Sequence, residues 1–142
     1  MRTLLLTAVL VSLTLAGCSS TTTTTTTTTG SGMGMVMTKT IEVSMKGNKF
    51  VNETVTAHLG DIIHWTNNDM VGHTVTATSG ATFDSNANCV APVPAGAVCT
   101  APGGTYKYTT DKVGEIAYHC KVHANMTGKI VVLAAMMMNM TH

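Results

Sequence analysis

The sequence predicts an all-β domain, a Greek-key β-sandwich, joined to a flexible N-terminal tether. Three observations point there. Apolar and polar residues alternate with a period of two in short runs from Lys39 onward. Turn residues separate these runs at short intervals. No window of the chain has the 3.6-residue periodicity of an amphipathic helix.

The runs follow in order. Ile41, Val43 and Met45 alternate with polar residues and read as a half-buried strand. Phe50-Val51 starts a second apolar patch. Val55 and Ala57 alternate with threonine and histidine, and Gly60-Asp61 turns the chain. Ile62-Ile63-His64-Trp65 is a strand stopped by Asn67-Asn68-Asp69. His73 to Thr78 is rich in β-branched residues and reads as a strand opened by His73. Tyr106 and Tyr108 alternate, Lys112-Val113-Gly114 turns, and Ile116, Tyr118 and Cys120 share one face. Lys129 to Leu133 closes the domain. The expected division is 1–17 export signal, 18–38 linker, 39–134 folded domain and 135–142 Met-rich tail.

Arg2 and the apolar run from Leu4 to Leu13 form an export signal too short for a membrane span. Its end, Leu15-Ala16-Gly17-Cys18, resembles the bacterial lipobox. That resemblance implies cleavage before Cys18 and lipid on its sulfur. The expected location is the periplasmic side of a bacterial cell envelope. Ser19 after the cysteine favours the outer over the inner membrane. The nine threonines Thr21–Thr29 and the Gly/Met segment behind them offer little to bury, so they read as a tether.

Without Arg2, seven lysines face seven acidic residues, so the exported chain is formally neutral. No basic stripe is present, which excludes the electrostatic footprint of nucleic-acid binding. Long-range steering of a charged partner is expected to be weak. The chain is read as a monomer.

Four cysteines remain to be placed. With Cys18 assigned to lipid, Cys89 and Cys99 flank a Pro/Gly loop with no histidine or acid between them. In an oxidising compartment they read as a disulfide rather than a second metal site. Closing so short a loop is expected to contribute about 2–3 kcal/mol on the chain-entropy account. Cys120 is then an unpaired thiol, which a bound metal would protect.

The stretch Tyr118-His119-Cys120-Lys121-Val122-His123-Ala124-Asn125-Met126 supplies a thiolate, imidazoles and a thioether. Further histidines stand at 58, 64, 73 and 142. This soft set selects copper over calcium, magnesium or manganese. Zinc would take the cysteine and histidines but rarely methionine, which disfavours a zinc-structured domain. Two histidines and a cysteine with a weak axial methionine is the blue-copper arrangement.

Over about Lys39–Leu133 the chain resembles the cupredoxins, in particular the plastocyanin and amicyanin branch. The motifs are Gly60-Asp61, Trp65-Thr66-Asn67, Gly72-His73-Thr74-Val75, Phe83-Asp84-Ser85 and the segment Gly114–Val132. Two residues separate Cys120 from His123 and two separate His123 from Met126, the short loop of amicyanins. The resemblance implies one copper held by His73, Cys120, His123 and Met126. With every protein position filled, it implies electron transfer rather than catalysis. The sequence departs from the family at Val122 and Gly72, where prolines are usual, and at Thr74, where asparagine is common. Thr74 is expected to hydrogen-bond across to the cysteine loop. The Cys89–Cys99 segment has no counterpart in the simple plastocyanin pattern.

His119, alternating with Cys120, is expected to point away from copper, as a surface strand residue or an electron exit. His58 and His64 read as structural. Redox protein partners are expected to dock transiently near His123, on a weakly polar patch with Met70, Val71, Ala124 and Asn125. Met33, Met35, Met37, Met136, Met137, Met138 and Met140 read either as compositionally biased tails or as Cu(I) ligands. The second reading makes the chain a copper storage or delivery protein, the alternative to an electron carrier.

Overall fold

A computed structural model describes residues 24–27 and 35–138. Among the described residues ten strands make two sheets: β1 (Thr24–Thr27), β2 (Met35–Met45), β3 (Phe50–Val51), β4 (Thr54–His58), β5 (Ile62–Asn67), β6 (Thr76–Ser79), β7 (Thr105–Thr109), β8 (Gly114–His119), β9 (Thr127–Leu133) and β10 (Met137–Met138). One sheet runs β1-β2-β5-β7, with β3 and β10 also on β2; the other runs β4-β9-β8-β6. The pairs β2–β5 and β4–β9 are parallel and the others antiparallel. Among the described residues no helix is present that is long and apolar enough to cross a membrane.

Alternation explains the layering. In β5, Ile63, Trp65 and Asn67 are buried while Ile62, His64 and Thr66 are half-buried. In β8 and β9, Ile116, Tyr118, Ile130 and Val132 point inward. These meet Val43, Met45, Phe50, Val55 and Ala57 from the facing strands. Trp65 meets Tyr118 edge-on, at 5.4 Å between ring centroids, and Phe50 does the same at 4.7 Å. Each fully buried side chain of this size stabilises the fold by about 1.5–3 kcal/mol.

The β4–β5 turn is held by a buried carboxylate. Gly60 has φ of 93°, a left-handed conformation that glycine adopts without strain. Asp61 is 1% exposed; its two oxygens accept the backbone N–H groups of Lys39 (2.9 Å) and His58 (2.8 Å). The Thr110 hydroxyl donates to the carbonyl of His58 at 2.7 Å. The turn, the start of β2 and the end of β7 thus form one pole of the sandwich.

Two findings extend the strands past the boundaries read from sequence. β2 begins at Met35, inside the segment taken as linker, because β-branched Val36, Thr38 and Thr40 suit an extended backbone. Thr24–Thr27 pair with Val36–Lys39, and Met137–Met138 of the tail pair with Met35–Val36 on the other edge. Backbone pairing joins these segments to the edges of β2. The export signal, Cys18, Met33, Met140 and His142 lie outside the described residues.

The strand expected to open at His73 begins only at Thr76. The backbone donors before it are used otherwise. His73 forms an isolated bridge with Thr100, Thr74 N–H points to Cys120 Sγ, and Val75 N–H donates to Ser85 Oγ at 2.9 Å.

Candidate metal centre

The site lies at the opposite pole, where β2, β5 and β8 end and β9 begins. β5 ends at Asn67, a fully buried side chain that shapes the loop after it. Its Nδ2 donates to the carbonyls of Val71 and Thr100, both at 2.8 Å, and its Oδ1 accepts Asp69 N–H at 2.9 Å. The loop therefore folds back, and Asp69 comes beneath His73. Asp69 Oδ2 lies 2.8 Å from His73 Nε2.

That contact settles a tautomer. Backbone N–H groups of Asn48 and Gly47 and the His73 ring hold the Asp69 carboxyl down at about 2, so it is an acceptor only. His73 Nε2 must then carry the hydrogen. Its Nδ1 is then the ring nitrogen that faces the other donors, the arrangement in which a carboxylate orients a metal-binding histidine.

The second wall is the loop Cys120–Met126. It is closed by Cys120 N–H to the Met126 carbonyl at 2.9 Å and Met126 N–H to the His123 carbonyl at 3.0 Å. Thr74 ties it to the first wall. Its hydroxyl accepts Lys121 N–H at 2.8 Å, and its own N–H points to Cys120 Sγ at 3.3 Å. Lys121 Nζ clamps the loop from outside, donating to Asp84 Oδ2 at 2.6 Å and to the carbonyls of Asn86 and Ala87. Val122 packs against the core. The loop is thus held by hydrogen bonds where the family usually has proline.

Gly72 has a similar account. A Cβ built there would stand 2.7 Å from Cys99 Cβ, and Cys99 is fixed by its disulfide to Cys89, Cα–Cα 5.3 Å. The inserted disulfide loop occupies the space that a proline ring at 72 would need.

Three donor atoms converge. His73 Nδ1 and His123 Nδ1 are 3.1 Å apart, and Cys120 Sγ lies 3.8 Å from the first and 3.5 Å from the second. A point equidistant from all three is about 2.0 Å from each, close to the roughly 2.0–2.1 Å of metal–imidazole and 2.3 Å of metal–thiolate bonds. The residues fit a trigonal metal without rearrangement. His73 and Cys120 are buried, His123 is half-buried, and the fully buried Met126 closes the same loop. Burial, and then the neighbouring His73, push His123 below the ordinary 6.5, which favours the neutral ring a metal needs.

His119 is half-buried in the ladder between Thr76 and Thr127, on the alternate side from Cys120. His64 contacts Glu42 at 2.9 Å on the sheet surface, away from this pole. In the two loops that carry His73 and His123, Met70 is 90% exposed, and Val71, Ala124 and Asn125 are exposed as well. Asp69 and Lys121 are the site residues that sequence reasoning did not single out. The carboxylate four residues before His73 was the available signal.

Comparison with known proteins agrees with this geometry. The profile of the family described as copper binding proteins, plastocyanin/azurin family, matches residues 36–133. A chloroplastic plastocyanin of Tetradesmus obliquus is 35% identical over 94 residues. That match covers 58% of this chain and 57% of the relative, so the chain spans little more than half the relative's length. Among solved structures, a methionine-to-alanine variant of amicyanin in its Cu(I) form superposes with a TM-score of 0.53 at 22% identity, over 66% of this chain and 82% of that one. Amicyanin from Paracoccus versutus gives 0.53 at 21% identity, over 66% and 81%. These structural likenesses show the fold.

Proposed function

Because the chain belongs to the plastocyanin/azurin family of copper-binding proteins, we propose that it carries single electrons between redox partners in the bacterial cell envelope, anchored by lipid on Cys18. His73, Cys120 and His123 would hold the copper, and the thioether of Met126, buried on the same loop, would tune its potential. The observation that carries this reading is the convergence of the three donor atoms on one point about 2.0 Å from each.

Bound copper supplies a one-electron Cu(I)/Cu(II) couple. The protein's contribution is to keep the donors still. Asp69 orients His73, Thr74 and Lys121 fix the cysteine loop, and burial of Cys120 and Met126 excludes water. With all ligand positions taken from the chain, no place remains for a substrate, which supports electron transfer over catalysis.

His123, half-buried where the other donors are buried, would be the route by which electrons reach the surface. Met70, Val71, Ala124 and Asn125 in the two loops that carry His73 and His123 suit a small, short-lived interface with a redox protein. A formally neutral exported chain fits an encounter with little electrostatic steering. His119, bonded to Cys120 through the backbone, offers a second exit. Ser19 after Cys18 favours the outer membrane.

Voltammetry of the copper-loaded protein tests this. One reversible one-electron wave is expected. A colourless protein that binds several Cu(I) ions and shows no reversible wave overturns the reading in favour of copper storage or delivery.

A further inference from the structure

The strands β2 and β10 bring together methionines that lie about a hundred positions apart. A cavity of about 240 Å³ at the β4–β5 pole is lined by Met37, Met136, Met137 and His58, with Thr38, Lys39 and Asp61 completing its wall. The register explains the meeting: Met137 pairs with Val36, one residue before Met37, while β4 delivers His58 beside the Gly60-Asp61 turn.

The donors in this wall are unevenly committed. Both Asp61 oxygens already accept backbone N–H groups, which ties this carboxylate to the turn. His58 Nδ1 is buried and has no hydrogen-bond partner, with the nearest Asp61 oxygen 3.9 Å away. A buried imidazole nitrogen without a partner is costly unless something occupies it. The remaining polarisable donors are three thioethers. Thioethers with imidazole form a soft set, which selects Cu(I) over zinc, calcium or magnesium. The cavity exceeds the size of a bare ion. Methionine's flexible, unbranched side chain lets the sulfurs close on it.

We propose that this cavity is a second metal site, for cuprous ion, formed by the thioethers of Met37, Met136 and Met137 and the imidazole of His58. It is separate from the site at the other pole. β2 spans the molecule between them: Asn68, beside the first site, donates to the carbonyl of Met45. At about 3.3 Å per residue, Met37 and Met45 are roughly 25 Å apart, so the two sites share no ligand. The second site holds Cu(I) at the end of the domain where the N-terminal segment enters.

Anaerobic titration of the full chain with Cu(I) against a chromophoric chelator tests the proposal. The triple variant Met37→Leu, Met136→Leu, Met137→Leu is expected to bind one equivalent fewer than wild type, with its blue absorption unchanged after Cu(II) loading. His58→Ala alone is expected to weaken that equivalent by at least about tenfold. Leucine nearly matches methionine in volume, and His58 Nδ1 gives up no hydrogen bond, so thermal midpoints should stay close to wild type. If the triple variant binds as many Cu(I) ions as wild type, or His58→Ala leaves the affinities unchanged, the site does not exist. Cys120→Ser in the same titration reads the other pole independently, so failure of one site is not mistaken for failure of the other.

Discussion

Replacing Asp69 by alanine removes the group that orients His73 without touching any donor atom. Three hydrogen bonds go with it: the N–H groups of Gly47 (2.8 Å) and Asn48 (2.9 Å), and His73 Nε2 (2.8 Å). The first two lie at the exposed surface, where water replaces the lost acceptor and each costs at the low end of about 0.5–1.5 kcal/mol. The third is different. His73 is 0% exposed, so its Nε2–H loses its partner inside the protein at a cost of about 1–3 kcal/mol. The ring can avoid that cost by moving its proton to Nδ1, the atom that faces Cys120 Sγ and His123 Nδ1. A metal must then displace that proton. Loss of such an orienting carboxylate lowers metal affinity by about 10–100-fold. Two assays check it: copper affinity by competition with a chelator, and the His73 tautomer from ¹⁵N resonances of the metal-free protein. Wild type should show hydrogen on Nε2, and Asp69→Ala a mixture with Nδ1. Affinity within about twofold of wild type, with His73 still protonated only at Nε2, would refute the reasoning.

Three other expectations follow from the same structure. Gly72→Ala places a Cβ 2.7 Å from Cys99 Cβ and should lower stability by about 1–3 kcal/mol; Cys89→Ala with Cys99→Gly, which removes both the disulfide and that Cβ, should relieve part of the clash, and additive losses would contradict it. The metal-free protein should lose stability as pH falls below 6.5, because His123 titrates lower when folded, so its contribution is complete above the unfolded value and fades beneath it. A thermal midpoint that is flat or rising between pH 7 and 5.5 would contradict that assignment. Cys18→Ala should move the protein from the membrane fraction to the soluble fraction of the envelope, and unchanged membrane association would exclude the lipid anchor.

How much of this was legible in the sequence varies by element. The core strands declared themselves because a period of two is forced by burial on one face, as in Ile63-His64-Trp65. The Cys120, His123 and Met126 spacing was readable because these residues share one short loop. Asp69 was read only as a strand stop. Its role depends on the loop folding back, which Asn67 enforces through bonds to Val71 and to Thr100, thirty-three residues on. The three residues from His73 to Val75 have β-branched neighbours and still leave the ladder, since side chains from other segments take their backbone groups. Gly72 stood in the sequence only as a departure from the usual proline, and its reason, Cys99 packed against it, comes from a residue twenty-seven positions on. The edge pairing of Thr24–Thr27 and Met137–Met138 rests on backbone hydrogen bonds, which composition does not reveal.

The most direct test of the copper site is titration with Cu(II), followed by visible absorption, on wild type and Cys120→Ser. Wild type should bind with one intense thiolate-to-copper band that saturates at one equivalent, and Cys120→Ser should show none. A band that survives in Cys120→Ser, or a wild type that takes up copper without colour, would contradict the assignment of Cys120, and with it the account of how this chain carries an electron.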